Sequence, residues 1–189
     1  DLRCIGANPF AGNLKIDLEC DRHMKGERTV SIGMQNIHWS SDALEKRMLT
    51  NFGDQIGLTN ARTPETITTG DELIIPLNFQ SLDNIVDDMV IFVHILNTDE
   101  SLDSENAVLI SQWDGWPLQG QFRTSTWQTG EQLGFNITIP IPKNSPQGNY
   151  LIHLGWYKTD SQVRLPVTST IYETRDNIIK LGSFKLIDK

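Results

Sequence analysis

The run Thr69-Gly70-Asp71-Glu72-Leu73-Ile74-Ile75-Pro76-Leu77-Asn78-Phe79 carries the pattern that decides the fold. Thr69-Gly70-Asp71 reads as a turn, because glycine accepts backbone angles that tight reversals need. Beyond it, Leu73, Ile75, Leu77 and Phe79 recur at every second position. Successive side chains of a strand point to opposite faces, so this spacing gathers the apolar groups on one face. A half-buried strand follows.

The same rhythm recurs downstream. Leu133, Phe135, Ile137 and Ile139 follow Gly130-Glu131, and Tyr150, Ile152, Leu154 and Trp156 follow Pro146-Gln147-Gly148. Ile178–Ile187 reads as a last strand, with Gly182 marking a bulge. Residues 89–96 are apolar at nearly every position, which predicts a central strand covered on both faces. Upstream, Leu14, Ile16, Leu18 and Cys20 alternate with Lys15, Asp17 and Glu19, and Val30, Ile32 and Met34 keep the same beat. The polar stretch 21–28 between those runs predicts a pair of strands. One short helix is expected over 43–49, where Asp42 and Glu45 fit a capping box and the basic residues fall late.

Many short strands with turn punctuation and almost no helix predict an all-β antiparallel sandwich, immunoglobulin-like or jelly-roll-like. The expected division is an N-terminal β-hairpin plus short helix over 1–50 and the sandwich over 51–189.

Composition narrows the partners. The 189 residues carry a net charge of −8, which argues against nucleic acid or anionic lipid as the main partner. The longest apolar run, 89–96, is far too short to span a bilayer as a helix. A chain starting at Asp1 with no signal peptide reads as a mature or excised piece, from which a membrane anchor has room to be missing. Cys4 and Cys20 close a hairpin-like stretch if they form a disulfide, which suits an oxidising compartment; two free thiols are the alternative.

His94 and His153 sit within strands. His94 shares a face with Val90, Phe92 and Leu96, and a carboxylate such as Asp114 is a natural partner for it. The sharp reading is a metal ligand or general base; the plain one is a hydrogen-bonded structural histidine, favoured because no ligand-spaced partner is visible. Trp113-Asp114-Gly115-Trp116-Pro117, with Trp127, Trp156 and Tyr157, offers aromatic surfaces for sugar rings. Aromatics in a sandwich more often serve as core or loop anchors, so Trp113, Trp116 and Trp127 stand as candidate sugar-stacking residues only. Gly-x-Ser-x-Gly, Walker A and His-Glu-x-x-His are absent, so no catalytic residue, metal site or cofactor is assigned. The acidic loops lack EF-hand spacing for calcium. Asn136-Ile137-Thr138 matches a glycosylation acceptor but falls within a strand.

A further order of motifs runs from Phe52 to Leu186: Gly53-Asp54-Gln55-Ile56, Thr69-Gly70-Asp71-Glu72-Leu73, Val90-Ile91-Phe92-Val93-His94-Ile95-Leu96, Gln112-Trp113-Asp114, Pro117, Gly120, Thr124-Ser125-Thr126-Trp127 and Gly130-Glu131. It continues through Pro146-Gln147-Gly148-Asn149-Tyr150, Leu154-Gly155-Trp156-Tyr157, Arg164-Leu165-Pro166 and Ile179-Lys180-Leu181-Gly182. This order resembles the extracytoplasmic C-terminal β-sandwich domain of bacterial polytopic membrane glycosyltransferases of the mannosyltransferase type, and of related surface proteins. The resemblance implies a sandwich outside the cytoplasm and carries over no catalytic residue. The first fifty residues and an acidic loop at 99–107 depart from the pattern. Trp127 is expected to plug an end of the sandwich, and Arg164 to pair with Asp114 or another loop carboxylate.

The expectation is therefore a non-catalytic extracytoplasmic domain, secreted, periplasmic or at the cell surface. It docks on protein subunits of a membrane or surface assembly, through the N-terminal extension and the acidic loop. The alternatives are a carbohydrate-binding module with glycans as ligands, or an acceptor-positioning domain of a membrane glycosyltransferase.

Overall fold

The structure is a computed structural model that describes residues 48–97 and 107–188, together with the backbone of three N-terminal strands. Those are β1 (Ala7–Phe10), β2 (Asn13–Cys20) and β3 (Met24–Thr29), which form an antiparallel sheet of their own. The second strand of the expected hairpin therefore begins at Met24, inside the stretch read as its connection. Backbone pairing needs no apolar side chain, and Met24 pairs with Cys20. Val30, Ile32 and Met34, the expected disulfide between Cys4 and Cys20, the acidic loop and the expected helix up to residue 47 lie outside the described residues. Met48 and Leu49 are not helical.

The remaining strands build an all-β sandwich. One sheet has the order β10 (Gln132–Pro140), β7 (Glu72–Ser81), β5 (Ile56–Ala61), β4 (Thr50–Phe52), β12 (Val167–Ser169). The other runs β13 (Thr174–Arg175), β14 (Ile178–Ile187), β11 (Gly148–Lys158), β8 (Met89–Asn97), β9 (Val108–Gly115), with β6 (Thr66–Thr68) added in parallel to β14.

Each apolar alternation faces the space between the sheets. Leu73, Ile75, Leu77 and Phe79 of β7 meet Leu133, Phe135, Ile137 and Ile139 of β10 and Tyr150, Ile152, Leu154 and Trp156 of β11 in one buried core. Trp156 is fully buried and edge-on to both Phe79 (5.1 Å) and Trp127 (6.2 Å). Packing of this kind stabilises the sheets more than strand propensity does.

Two irregularities have local causes. Pro76 lies inside β7, where a missing N–H would ordinarily break a ladder. Its carbonyl accepts from Arg62 N–H (3.2 Å), just past the last β5–β7 pair, Ala61 with Leu77. The absent donor points to that same side, where β5 is leaving, so pairing with β10 continues through Pro76–Asn136. In β14 the pairing with β11 steps from Ile152–Gly182 to His153–Lys180, leaving Leu181 as the extra residue. The bulge thus falls on Leu181, next to the glycine expected to mark it. It shifts the inward positions from Ile179 and Leu181 to Phe184 and Leu186, all buried.

Candidate functional site

The outer face of the β8-containing sheet carries an unusual set of side chains. On β8 the inward positions Met89, Ile91, Val93 and Ile95 are fully buried, so Val90, Phe92, His94 and Leu96 point the other way. Val90 and Phe92 are buried there too, as expected for a strand covered on both faces. Register then decides the neighbours. His94 stands directly opposite His153 of β11 and Gln112 of β9, while Phe92 stands opposite Gly155 of β11 and Asp114 of β9. His153 in turn faces Lys180 of β14. Opposed residues of an antiparallel pair share a face, with Cβ atoms about 5 Å apart.

Asp114 anchors the rim. Its carboxylate lies 3.6 Å from His94 Nε2, and the Tyr157 hydroxyl donates to it at 3.4 Å. The His94 ring rests beside Phe92 with centroids 4.9 Å apart, and Tyr157 follows at 6.0 Å. The Phe92 ring bends over Gly155, where only a residue without Cβ fits: a Cβ there falls 2.4 Å from Phe92 Cζ. Arg164, from the connection after β11, lays its guanidinium 5.3 Å above the Phe92 ring and donates one N–H to the Asp176 carbonyl (3.2 Å). That carbonyl belongs to the two-residue reversal Asp176-Asn177 between β13 and β14, where both residues have left-handed φ of 50° and 61°. Arg164 thus pairs with a backbone oxygen and an aromatic face, and the expected Arg164–Asp114 ion pair is not made.

Electrostatics follow from this geometry. Burial lowers the His153 pKa to about 4, with the His94, Lys180 and Arg164 charges pushing the same way. His94 is also lowered by burial; Asp114 opposes this and Arg164 reinforces it. Both imidazoles are neutral at pH 7. His153 is 7% exposed, and its Nε2 is buried without a hydrogen-bond partner. A buried polar atom left unpaired carries a desolvation cost of about 1–3 kcal/mol.

The tryptophans do not assemble. Trp127 is 3% exposed, donates to the Phe122 carbonyl (3.3 Å) and plugs the end of the core against Trp156. Trp113 points inward opposite Val93 and packs on the core. Trp116 lies at the same end of the sandwich, with the Arg123 guanidinium 4.0 Å over its ring and its Nε1 donating to Thr159 Oγ1 (3.1 Å). No common sugar platform is formed by these three rings, because alternation sends Trp113 inward and the core takes Trp127. Asn136 sits on β10 opposite Pro76, with its Oδ1 buried and unpaired. Among the described residues no group of three His, Cys, Asp or Glu side chains is placed to hold a metal ion, and no helix is long and apolar enough to cross a membrane.

The sequence pointed to His94 and Asp114 but missed their company. Alternation alone places His153 opposite the Tyr150–Trp156 face. Nothing local reveals that it meets His94, or that Arg164 reaches Phe92.

Fold and site together define an all-β sandwich domain with a polar, aromatic cluster on one outer face. No protein-family profile and no curated protein matches the chain. Among solved structures it is similar to a β-glucosidase from Listeria innocua in complex with isofagomine, at 12% identity and a TM-score of 0.41, over 71% of this chain. The chain covers only 16% of that enzyme's length. It is also similar to AvmM, which catalyzes macrocyclization in alchivemycin A biosynthesis, at 11% identity and a TM-score of 0.36, over 75% of this chain and 89% of that one. Similarity this distant carries no inference about chemistry.

Proposed function

We propose that the chain is a non-catalytic, extracytoplasmic structural and interaction domain that docks on other subunits of a surface or membrane assembly. The observation that carries this reading is the cluster of His94, His153, Asp114, Tyr157 and Arg164 on the outer face of a sheet whose inner face is committed to the core. Its groups are fixed by strand register and by hydrogen bonds, which reduces the ordering cost of recognition. The order of motifs from Phe52 to Leu186 supports the extracytoplasmic setting. Acceptor positioning within a membrane glycosyltransferase rests on that order alone. Glycan stacking on Trp113, Trp116 and Trp127 has little support, since their rings are turned to the core or covered by Arg123.

A photo-crosslinking amino acid at Gln112, beside His94 on the outer face, tests the proposal in native membranes. One at Ile74, exposed on the opposite sheet, is the control. A discrete adduct from position 112 and none from 74 is expected. Adducts from neither position, with a monomer throughout, would overturn it.

A further inference from the structure

The two outer faces of the sandwich differ in charge. That of the β8-containing sheet gathers His94, His153, Asp114 and Lys180. On the other sheet the buried positions of β7 and β10 alternate with outward ones, and among these outward positions only Glu72, at the far end, is charged. Register sets the outward residues in rows. Gln132, Gln80, Gly57 and Asn51 form one row, Gly134, Asn78 and Asn60 the next, and Thr138 with Ile74 a further one.

Burial is graded along these rows. Gly57 and Gly134 are buried and Gln132, Gln80 and Asn78 half-buried, whereas Ile74, Thr138 and Glu72 are exposed. Asn136, between the two ends, has its Oδ1 buried with no hydrogen-bond partner. A sheet face turned to water normally presents exposed, charged side chains. This one is uncharged and closes towards the Gly57 end.

The path of the chain shows what lies there. Gly57 faces out, because its neighbours Ile56 and Leu58 are in the core. Met48 Sδ and Leu82 Cδ2 lie 3.2 Å and 3.1 Å from where a Gly57 Cβ would be, so the chain before β4 arrives on this face at its closed end. Upstream, residues 30–41 contain no Asp, Glu, Lys or Arg, in a chain of which 21% is charged. Val30, Ile32, Met34, Ile37 and Trp39 of that stretch are apolar and gain by leaving water. An uncharged segment covers an uncharged face without stranding ions, whereas the His94 face would have charges to desolvate.

We propose that residues 30–47 pack across the outer face of the β10-β7-β5-β4 strands, over Gly57, Asn78 and Gly134, which makes this face an internal interface filled by the chain's own N-terminal segment. The two glycines permit close approach of a second backbone, and Asn136 Oδ1 offers a buried acceptor to a donor of the segment. The His94 face is then the one left to a partner, and the N-terminal extension is an anchor rather than a docking arm. This inference does not rest on the docking reading.

The test places a photo-crosslinking amino acid at Gln80 of the full chain and maps the product by mass spectrometry after trypsin. Residues 29–46 leave as one tryptic peptide, because no Lys or Arg falls between Arg28 and Lys46. Mixing unlabelled with isotope-labelled chains separates a link within one chain from a link between two. Expected is a link within one chain from position 80 to that peptide, and none from Ile74 at the open end of the face or from Gln112 on the other sheet. Hydrogen exchange gives a second readout. Asn78→Asp, which sets a charge beneath the segment without changing shape, is expected to speed exchange of the 30–41 amides at least about tenfold, and Thr138→Asp at the exposed end to leave it unchanged. Links only between chains, which would make the occupant a second copy, or no link from position 80 to the peptide would overturn the proposal. So would 30–41 amides that exchange as fast in the native chain as in the unfolded one, or indifference to Asn78→Asp in a folded protein.

Discussion

Phe92 lies across Gly155, its partner on the next strand, so closely that a Cβ at position 155 falls 2.4 Å from the ring. The Asn177 carbonyl closes the same space at 3.1 Å. Gly155→Ala must therefore tilt the ring on which Arg164 rests and against which His94 packs. Overpacking of this kind costs about 1–3 kcal/mol. Urea unfolding is expected to show that loss, with displaced His94 ring signals. Unchanged stability would mean that Phe92 has another rotamer available.

Stability is expected to fall on acidification because His153 is buried in its neutral form. Its pKa of about 4 lies below the ordinary 6.5. Between those values the unfolded chain takes up a proton that the folded chain refuses, so stability present above pH 6.5 drains away as pH falls towards 4. The shift converts to at most about 3 kcal/mol, and solvent screening on the outer face of the sheet reduces it to roughly 2. Chemical denaturation of the native chain and of His153→Leu across this range checks the point. The variant should lose most of the slope.

Thr124 ties the loop before β8 to the turn Thr124–Thr126. Its hydroxyl accepts from the Met89 N–H (2.7 Å) and donates to the Asp87 carbonyl (3.1 Å), and the residue is fully buried. Thr124→Val keeps the shape but strands a buried N–H and a carbonyl, costing about 1–3 kcal/mol. Thr124→Ser should retain most of that stability. Hydrogen exchange at the Met89 amide gives the direct readout, and an amide equally protected in both variants would remove the claim.

Trp127 and Trp116 should separate cleanly. Trp127→Ala empties the end of the core beneath Trp156 and is expected to cost about 3–5 kcal/mol. Trp116→Ala removes a half-buried ring, one cation–π contact with Arg123 and a hydrogen bond to Thr159, for about 1–2 kcal/mol. Thermal melts of both variants decide this, and equal losses would contradict the placement of Trp127 as the plug.

Much of the sandwich was legible in the chain because alternation is a local property. Leu73 to Phe79, Leu133 to Ile139 and Tyr150 to Trp156 each declare a strand and its buried face without reference to anything distant. The even positions of β8 likewise placed His94 with Phe92. Trp113 and Trp116 were harder, since three residues of strand and turn send one ring inward and leave the other at the end of the sandwich.

What only the tertiary structure decided is who stands across from whom. His94 meets His153 through pairing of strands more than fifty residues apart, and Asp114 reaches His94 because β9 pairs on the far side of β8. Arg164 arrives over Phe92 because a connection after β11 is held by the Asp176 carbonyl. Register depends on bulges such as Leu181 and on the packing of both sheets at once. Periodicity can name the face a residue belongs to, but its neighbours on that face are set by the whole fold.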